Sequence, residues 1–214
     1  MQTLAAFQAT GDGKATPRLK MSAWGTVELV EGWLPLFGRG DPAKTPQENA
    51  LAAVARIRPL LALTASDALE LINVTKTHDG HRAVFRQRHE GLRVAGALVL
   101  GFDGSGTLVS LENHCLPSIR QSAFATSALA TSARDSAVSA LRKSHPNATD
   151  IVTSLRYVPS TDACDPGDLV YHLDYRMEKR PWRRTVRAKT GMTLRDESRS
   201  WAVGNTQVRR ENCI

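Results

Sequence analysis

The residues of this chain best suited to chemistry are few, and their spacing limits what they can do. His89 and Glu90 are adjacent, as they would be at the start of a zinc-protease H-E-x-x-H motif. That chemistry needs a second histidine one helical turn on, so that both rings reach one metal while the glutamate acts as base. Here Gly91, Leu92 and Arg93 follow, and the pair falls at a predicted strand–turn boundary, where positions i and i+4 do not converge. His78 and His81 flank Asp79-Gly80 and read as solvated turn residues. Asp162, Asp165 and Asp168 surround Cys164 and Pro166. Their carboxylates are fewer than the six to eight oxygens a calcium ion takes, so the stretch reads as a solvated acidic loop. The glycines of 101–106 fall in a predicted hairpin turn and open no helix, so they lack the dipole that phosphate sites use. No Ser/His/Asp order with a nucleophile elbow is present. The expectation is a non-catalytic chain with no metal and no cofactor. Asn73-x-Thr75 and Asn147-x-Thr149 fit glycosylation sequons, a triplet common by chance.

Charge is the second source of chemistry. The chain carries a net charge of +7. Residues 176–189 set Arg176, Lys179, Arg180, Arg183, Arg184, Arg187 and Lys189 against one acid, Glu178. Such a cluster attracts acidic partners through its summed field. With Tyr175 and Trp182 beside it, the stretch admits three readings: a solvated basic strand face, a protein-docking face, or a nucleic-acid face that stacks bases. The first two weigh more, and nucleic acid is not expected as the partner.

The elements that must position these groups follow from pattern. Hydrophobic residues make up 42% and charged residues 23% of 214 residues, which suits one large or two small folded domains. Residues 24–30 read as a strand. Thr45-Pro46-Gln47-Glu48 is a capping box with proline at the first helical position, and Pro59 ends or kinks the helix it opens. Residues 60–72 read as a loop and short helix. Strands follow at 82–88, 94–102 and 107–112, with turns at Glu90-Gly91 and 103–106. The small polar stretch 118–132 reads as a linker. Ser132-x-x-Asp135 then opens a helix that stops at His145-Pro146. Strands are expected at 151–158, 169–177, 182–188 and 192–197, with turns at 179–181 and Thr190-Gly191. Cys115, Cys164 and Cys213 form no CxxC pair; one bridge with a free thiol and three free thiols both fit. No run approaches the roughly 18 apolar residues that span a bilayer, so no membrane partner is expected. Residues 1–17 lack the order of a signal peptide.

Two stretches resemble a known family. Residues 84–101, VFRQRHEGLRVAGALVLG, followed by FDGSGTLVSLENHCLP, resemble the fungalysin/thermolysin propeptide (FTP) domain through Phe85, Gln87, Gly91, Leu92, Val94, Gly96, Gly104 and Gly106. The second half is similar to a PepSY domain, through the helix from Ala133, Leu169-Val170-Tyr171, Leu173-x-Tyr175, 182–186 and the ending that contains Thr190-Gly191. His89 stands where an aromatic is usual, Arg93 replaces a common proline, and Arg187 replaces a common aspartate. The resemblance implies an α+β chain of two small lobes, each an antiparallel sheet packed against a helix. The implied layout is an N-terminal extension at 1–44, an FTP-like domain at 45–120, a linker at 121–131, a PepSY-like domain at 132–199 and a basic tail at 200–214. It implies secretion or a periplasmic location, and a thermolysin-like metalloprotease catalytic domain as partner. A precursor would continue into a catalytic domain of some 300 residues, estimated roughly from domain size. The expected role is therefore a propeptide-type inhibitor and folding assistant. A truncated or remnant precursor, or a module that binds an acidic ligand through the basic strands, are the alternatives. The residues expected to touch the protease are Trp182, Arg184, Arg187 and Trp201. Oligomeric state is left open.

Overall fold

Every element below comes from a computed structural model that describes residues 17–22, 26–32, 34, 37, 39–117, 119, 128–159 and 167–199. The chain is α+β and mostly sheet. It divides into two compact units: residues 1–125 with Leu155–Leu169, and Thr126–Ser154 with residues 170–214. The segment Leu155–Leu169, read from sequence as part of the second domain, is thus grouped with the first unit.

In the first unit, β1 (Arg18–Met21) and β2 (Val27–Glu31) lead into α1 (Pro46–Ile57). α1 starts where the sequence says it should: the Thr45 hydroxyl accepts from the Glu48 amide at 3.3 Å, and Glu48 Oε2 accepts from the Thr45 amide at 2.7 Å. It ends in a 3₁₀ turn, Arg58–Leu61, that contains Pro59. The strands β3 (Asp67–Lys76), β4 (Gly80–His89), β5 (Leu92–Asp103) and β6 (Leu108–Asn113) form antiparallel neighbours, and β6 pairs with β2. The core is a cluster of Ala50, Ala53 and Ile57 from α1 with Phe85, Leu98, Leu100, Leu108 and Leu111 from the sheet. Burying each of the larger side chains contributes about 1.5–3 kcal/mol.

Two expectations need correction here. Residues 67–76, which fall largely in the stretch read as loop and short helix, form β3. A bulge between Leu71 and Asn73 shifts the phase of alternation and hides the strand's period from a sequence reading. The sheet is also mixed, not antiparallel throughout: β7 (Thr149–Pro159) runs parallel to β5, with Arg93 opposite Arg156 and Val94 opposite Tyr157.

In the second unit, α2 (Ala128–Ser144) begins four residues before Ser132, so the Ser132-x-x-Asp135 signal lies inside the helix. Alanine and leucine at 128–130 are strong helix formers, and they extend the helix into the expected linker. Ala137 and Leu141 are buried on it. β8 (Gly167–Met177), β9 (Arg180–Arg187) and β10 (Thr193–Ser198) follow, with β8 antiparallel to β9 and β9 antiparallel to β10.

Candidate functional site

The motif residues of the first unit converge on one buried fastening. Phe85 and Gln87 point inward from β4, and both are fully buried. The Gln87 side chain accepts from the Leu116 amide at 2.8 Å and donates to the Leu116 carbonyl at 2.9 Å. It also donates to Asp67 Oδ1 at 2.9 Å, and the His89 Nδ1 position lies 3.1 Å from the same oxygen. The Thr64 amide and hydroxyl donate to Asp67 Oδ2, each at 2.7 Å. Burial pushes the Asp67 carboxyl up, but the hydrogen bonds from Thr64, Gln87 and His89 outweigh it and hold the group below the usual carboxylate range. His89 is therefore a fastening residue of β4, edge-on to the Tyr157 ring at 5.2 Å. It is no part of a zinc motif.

Gly96 belongs to the same arrangement. A Cβ at this position would lie 2.6 Å from the His114 carbonyl oxygen and 3.1 Å from Cys115 Cα, so only glycine lets the chain leaving β6 pass this close to β5. Gly91 turns β4 into β5 at φ +78°. Leu92 and Val94 pack with Leu116, Ile119 and Tyr157 in a second apolar cluster. Cys115 is a free thiol, and burial followed by the charge of Asp67 pushes it up to about 12. Iodoacetamide at pH 8 is expected to leave the Cys115 peptide unmodified in the native chain and to modify it after unfolding, read by peptide mass mapping. Labelling of Cys115 in the native chain at the rate of an unfolded thiol would contradict the burial. Cys164 and Cys213 lie outside the described residues.

The basic stretch of the second unit is arranged by sheet register. Asp174 of β8 stands opposite Arg183, and Asp196 of β10 stands opposite Arg184. Arg183 makes a two-pronged bond to Asp174, at 2.7 and 2.8 Å. Arg184 is buried, with 8% of its surface exposed, and its Nε and Nη2 donate to Asp196 Oδ2 at 2.8 and 2.5 Å. Tyr175 donates to Asp196 Oδ1 at 2.8 Å and stacks on Trp182 with centroids 6.4 Å apart. His145, just beyond α2, brings its Nε2 to 3.3 Å from both Arg184 Nη2 and Asp196 Oδ2. Burial pushes the Asp196 carboxyl up, yet the bonds from Tyr175 and Arg184 prevail and hold it low. Burial, with Asp196 as acceptor, raises the Tyr175 phenol. These groups hold one another in place: the anion is saturated and the phenol is kept protonated.

The residues expected to touch a protease are thus placed differently from one another. Trp182 is half-buried in the cluster, Arg184 is enclosed by it, and Arg187 is half-buried at the end of β9, where its backbone closes the turn to Gly191 and Met192. Thr190 and Gly191 are exposed in that turn, and the Thr190 hydroxyl accepts from the Met192 amide at 3.3 Å. Trp201 and the tail 200–214 lie outside the described residues, as do Asp162 and Asp165. His78 is almost fully exposed beside Asp79, at 3.9 Å. Among the described residues no group of three His, Cys, Asp or Glu side chains is placed to hold a metal ion. The sequence reading missed Asp67, Asp196 and His145, since each lies far along the chain from the groups it meets, and Thr64, whose near neighbour Asp67 was itself missed. The one signal was an acid, Asp196, in a strand expected to neighbour a basic one.

No protein-family model matches the chain, and no curated protein matches it. Among solved structures, the chain is similar to the C-terminal domain of YpeB from Bacillus megaterium, with 10% sequence identity, a TM-score of 0.35, and coverage of 92% of this chain and 93% of that one.

Proposed function

We propose that this chain is a propeptide-type binding body that inhibits a thermolysin-like zinc metalloprotease and assists its folding. The observation that carries the reading is the convergence of the motif on one fastening. Gln87 bonds the segment that Gly96 lets past, Phe85 fills the core beneath them, and Leu92 and Val94 pack at the far side of the Gly91 turn. That these residues form one interlocked unit is what supports reading them together. A body of this kind acts by mass action: it binds the folded protease and not the unfolded one, so it shifts folding forward while the same contacts cover the cleft.

On this reading Trp182, Arg187 and Trp201 are the contact residues, and Arg184 positions Trp182 and Tyr175 through Asp196. The full chain, titrated against a thermolysin-like protease from the same source with peptide hydrolysis as readout, is expected to inhibit at submicromolar concentration. Trp182→Ala is expected to weaken that inhibition by about tenfold, in line with the loss of a large aromatic anchor. Absence of inhibition by a folded, uncleaved chain would sink the proposal and leave a remnant precursor domain as the better reading.

A further inference from the structure

The first unit gathers arginines on the face of its sheet that α1 does not cover. Along β4 the inward residues Ala83, Phe85 and Gln87 alternate with Arg82, Arg86 and Arg88. Register extends this row sideways. Arg88 stands opposite Arg93 of β5, and Arg93 stands opposite Arg156 of β7, so three arginines lie abreast on three adjacent strands. Like charges directly opposite one another repel across a sheet, and Arg93 at the centre of the row is exposed.

One internal carboxylate shows how such an anion sits. Glu70 of β3 pairs in register with Arg86 and accepts from Arg88 Nε at 2.9 Å. Its carboxyl is held below the usual range by the bond from Arg88 first, and then by the charges of Arg88, Arg86 and Arg93. One acid thus answers several cations, and Arg82 and Arg93 remain exposed. By contrast, the stretch 176–189 spends Arg183 and Arg184 on acids of its own unit. Val84, Ala97 and Val99 lie half-buried between the arginines, and the outward positions of β4 and β5 carry no aromatic ring on which a base could stack. A mixed apolar and cationic surface of this kind suits carboxylates borne on a polypeptide, which the guanidinium fork meets with two parallel bonds.

We propose that this face docks an acidic polypeptide segment, its carboxylates seated among Arg82, Arg86 and Arg93 as Glu70 is seated on Arg88. The site does not depend on the protease reading, which the inhibition titration tests separately. The test uses the full chain with a fluorescein-labelled glutamate-rich peptide, read by anisotropy near 0.1 M salt, where screening acts over about 10 Å. A single-stranded oligonucleotide of equal charge is titrated in parallel. The variant Arg82→Gln/Arg86→Gln/Arg93→Gln is expected to bind the peptide about tenfold more weakly, from three pairs of modest worth each. Its melting temperature is expected to stay level or rise, since repulsion is removed. The variant Arg176→Gln/Arg180→Gln/Lys189→Gln, which removes equal charge elsewhere, is expected to change binding by less than about twofold. Equal losses in the two variants, no peptide binding by the parent chain, or tighter binding of the oligonucleotide through Arg82, Arg86 and Arg93 would each overturn the proposal.

Discussion

Gln87→Met is expected to destabilise the chain by about 3–5 kcal/mol, although methionine matches glutamine in length and volume. The reason is what remains behind. Gln87 is fully buried, and its amide answers the Leu116 amide, the Leu116 carbonyl and one oxygen of Asp67. An apolar replacement leaves the Leu116 amide and carbonyl facing a dry interior, at about 1–3 kcal/mol for each buried group that loses its partner, and leaves Asp67 Oδ1 with His89 alone. For a chain of this size the melting temperature should fall by roughly 6–20 °C, measured by circular dichroism. Gln87→Glu separates hydrogen bonding from volume in another way. It places a second carboxyl beside Asp67, so the folded state favours a proton on the pair and the new group's pKa rises on folding. A group raised in this way contributes its stability below its unfolded value and loses it as pH rises through the folded one. Gln87→Glu should therefore recover relative to the parent as pH falls toward the carboxylate range, whereas Gln87→Met should recover only lower, where Asp67 itself takes a proton and the bond from Gln87 no longer counts. A loss under about 1 kcal/mol for Gln87→Met would mean that water reaches Leu116 and that the fastening is not dry.

Arg184→Met has the next largest expected effect, a loss of about 2–3 kcal/mol. Removing one partner of a fully buried ion pair costs about 3–5 kcal/mol. Here the Asp196 side chain keeps 24% of its surface in contact with solvent, and Tyr175 still donates to it, so the lower figure applies. The pair also shapes the acid limb of stability. The Asp196 carboxyl is depressed in the folded chain, so its contribution is complete above the ordinary aspartate value of about 3.9 and is lost as pH falls through the folded value. Arg184→Met should flatten that limb, and Arg184→Met/Asp196→Leu should be more stable than Arg184→Met alone, because the second change removes the stranded anion. Both are read from urea unfolding at a series of pH values. If the double variant is as unstable as the sum of two independent losses, the pair is not coupled as the geometry requires.

Local elements whose signals are complete within a few residues were legible from the amino-acid sequence. The start of α1 is an example, since Thr45, Pro46 and Glu48 satisfy that helix end without outside help. The β5–β6 hairpin is another, since the Asp103 side chain accepts from the Ser105 and Thr107 amides within the turn, each at 2.9 Å. The strand β4 was legible as well, but the enclosure of Gln87 by Leu116 and Asp67 was not. The bulged β3 escaped because one extra residue breaks the alternation on which strand reading depends, and the start of α2 escaped because a good internal cap signal stands within a longer helix.

Which groups meet at each site was decided by tertiary structure. In sequence, seven cations between 176 and 189 face one acid; in the sheet, Asp174 and Asp196 arrive by register and take two of them, so the segment is less cationic than its sequence implies. The arginines at 82, 86, 88, 93 and 156 look scattered along the chain, yet strand pairing gathers them on one face. The physical reason is range. Caps and turns are closed by bonds between near neighbours along the chain, whereas the environment of a charge is fixed by whatever the fold carries to within a few ångströms of it, and that distance is not written in the spacing of residues.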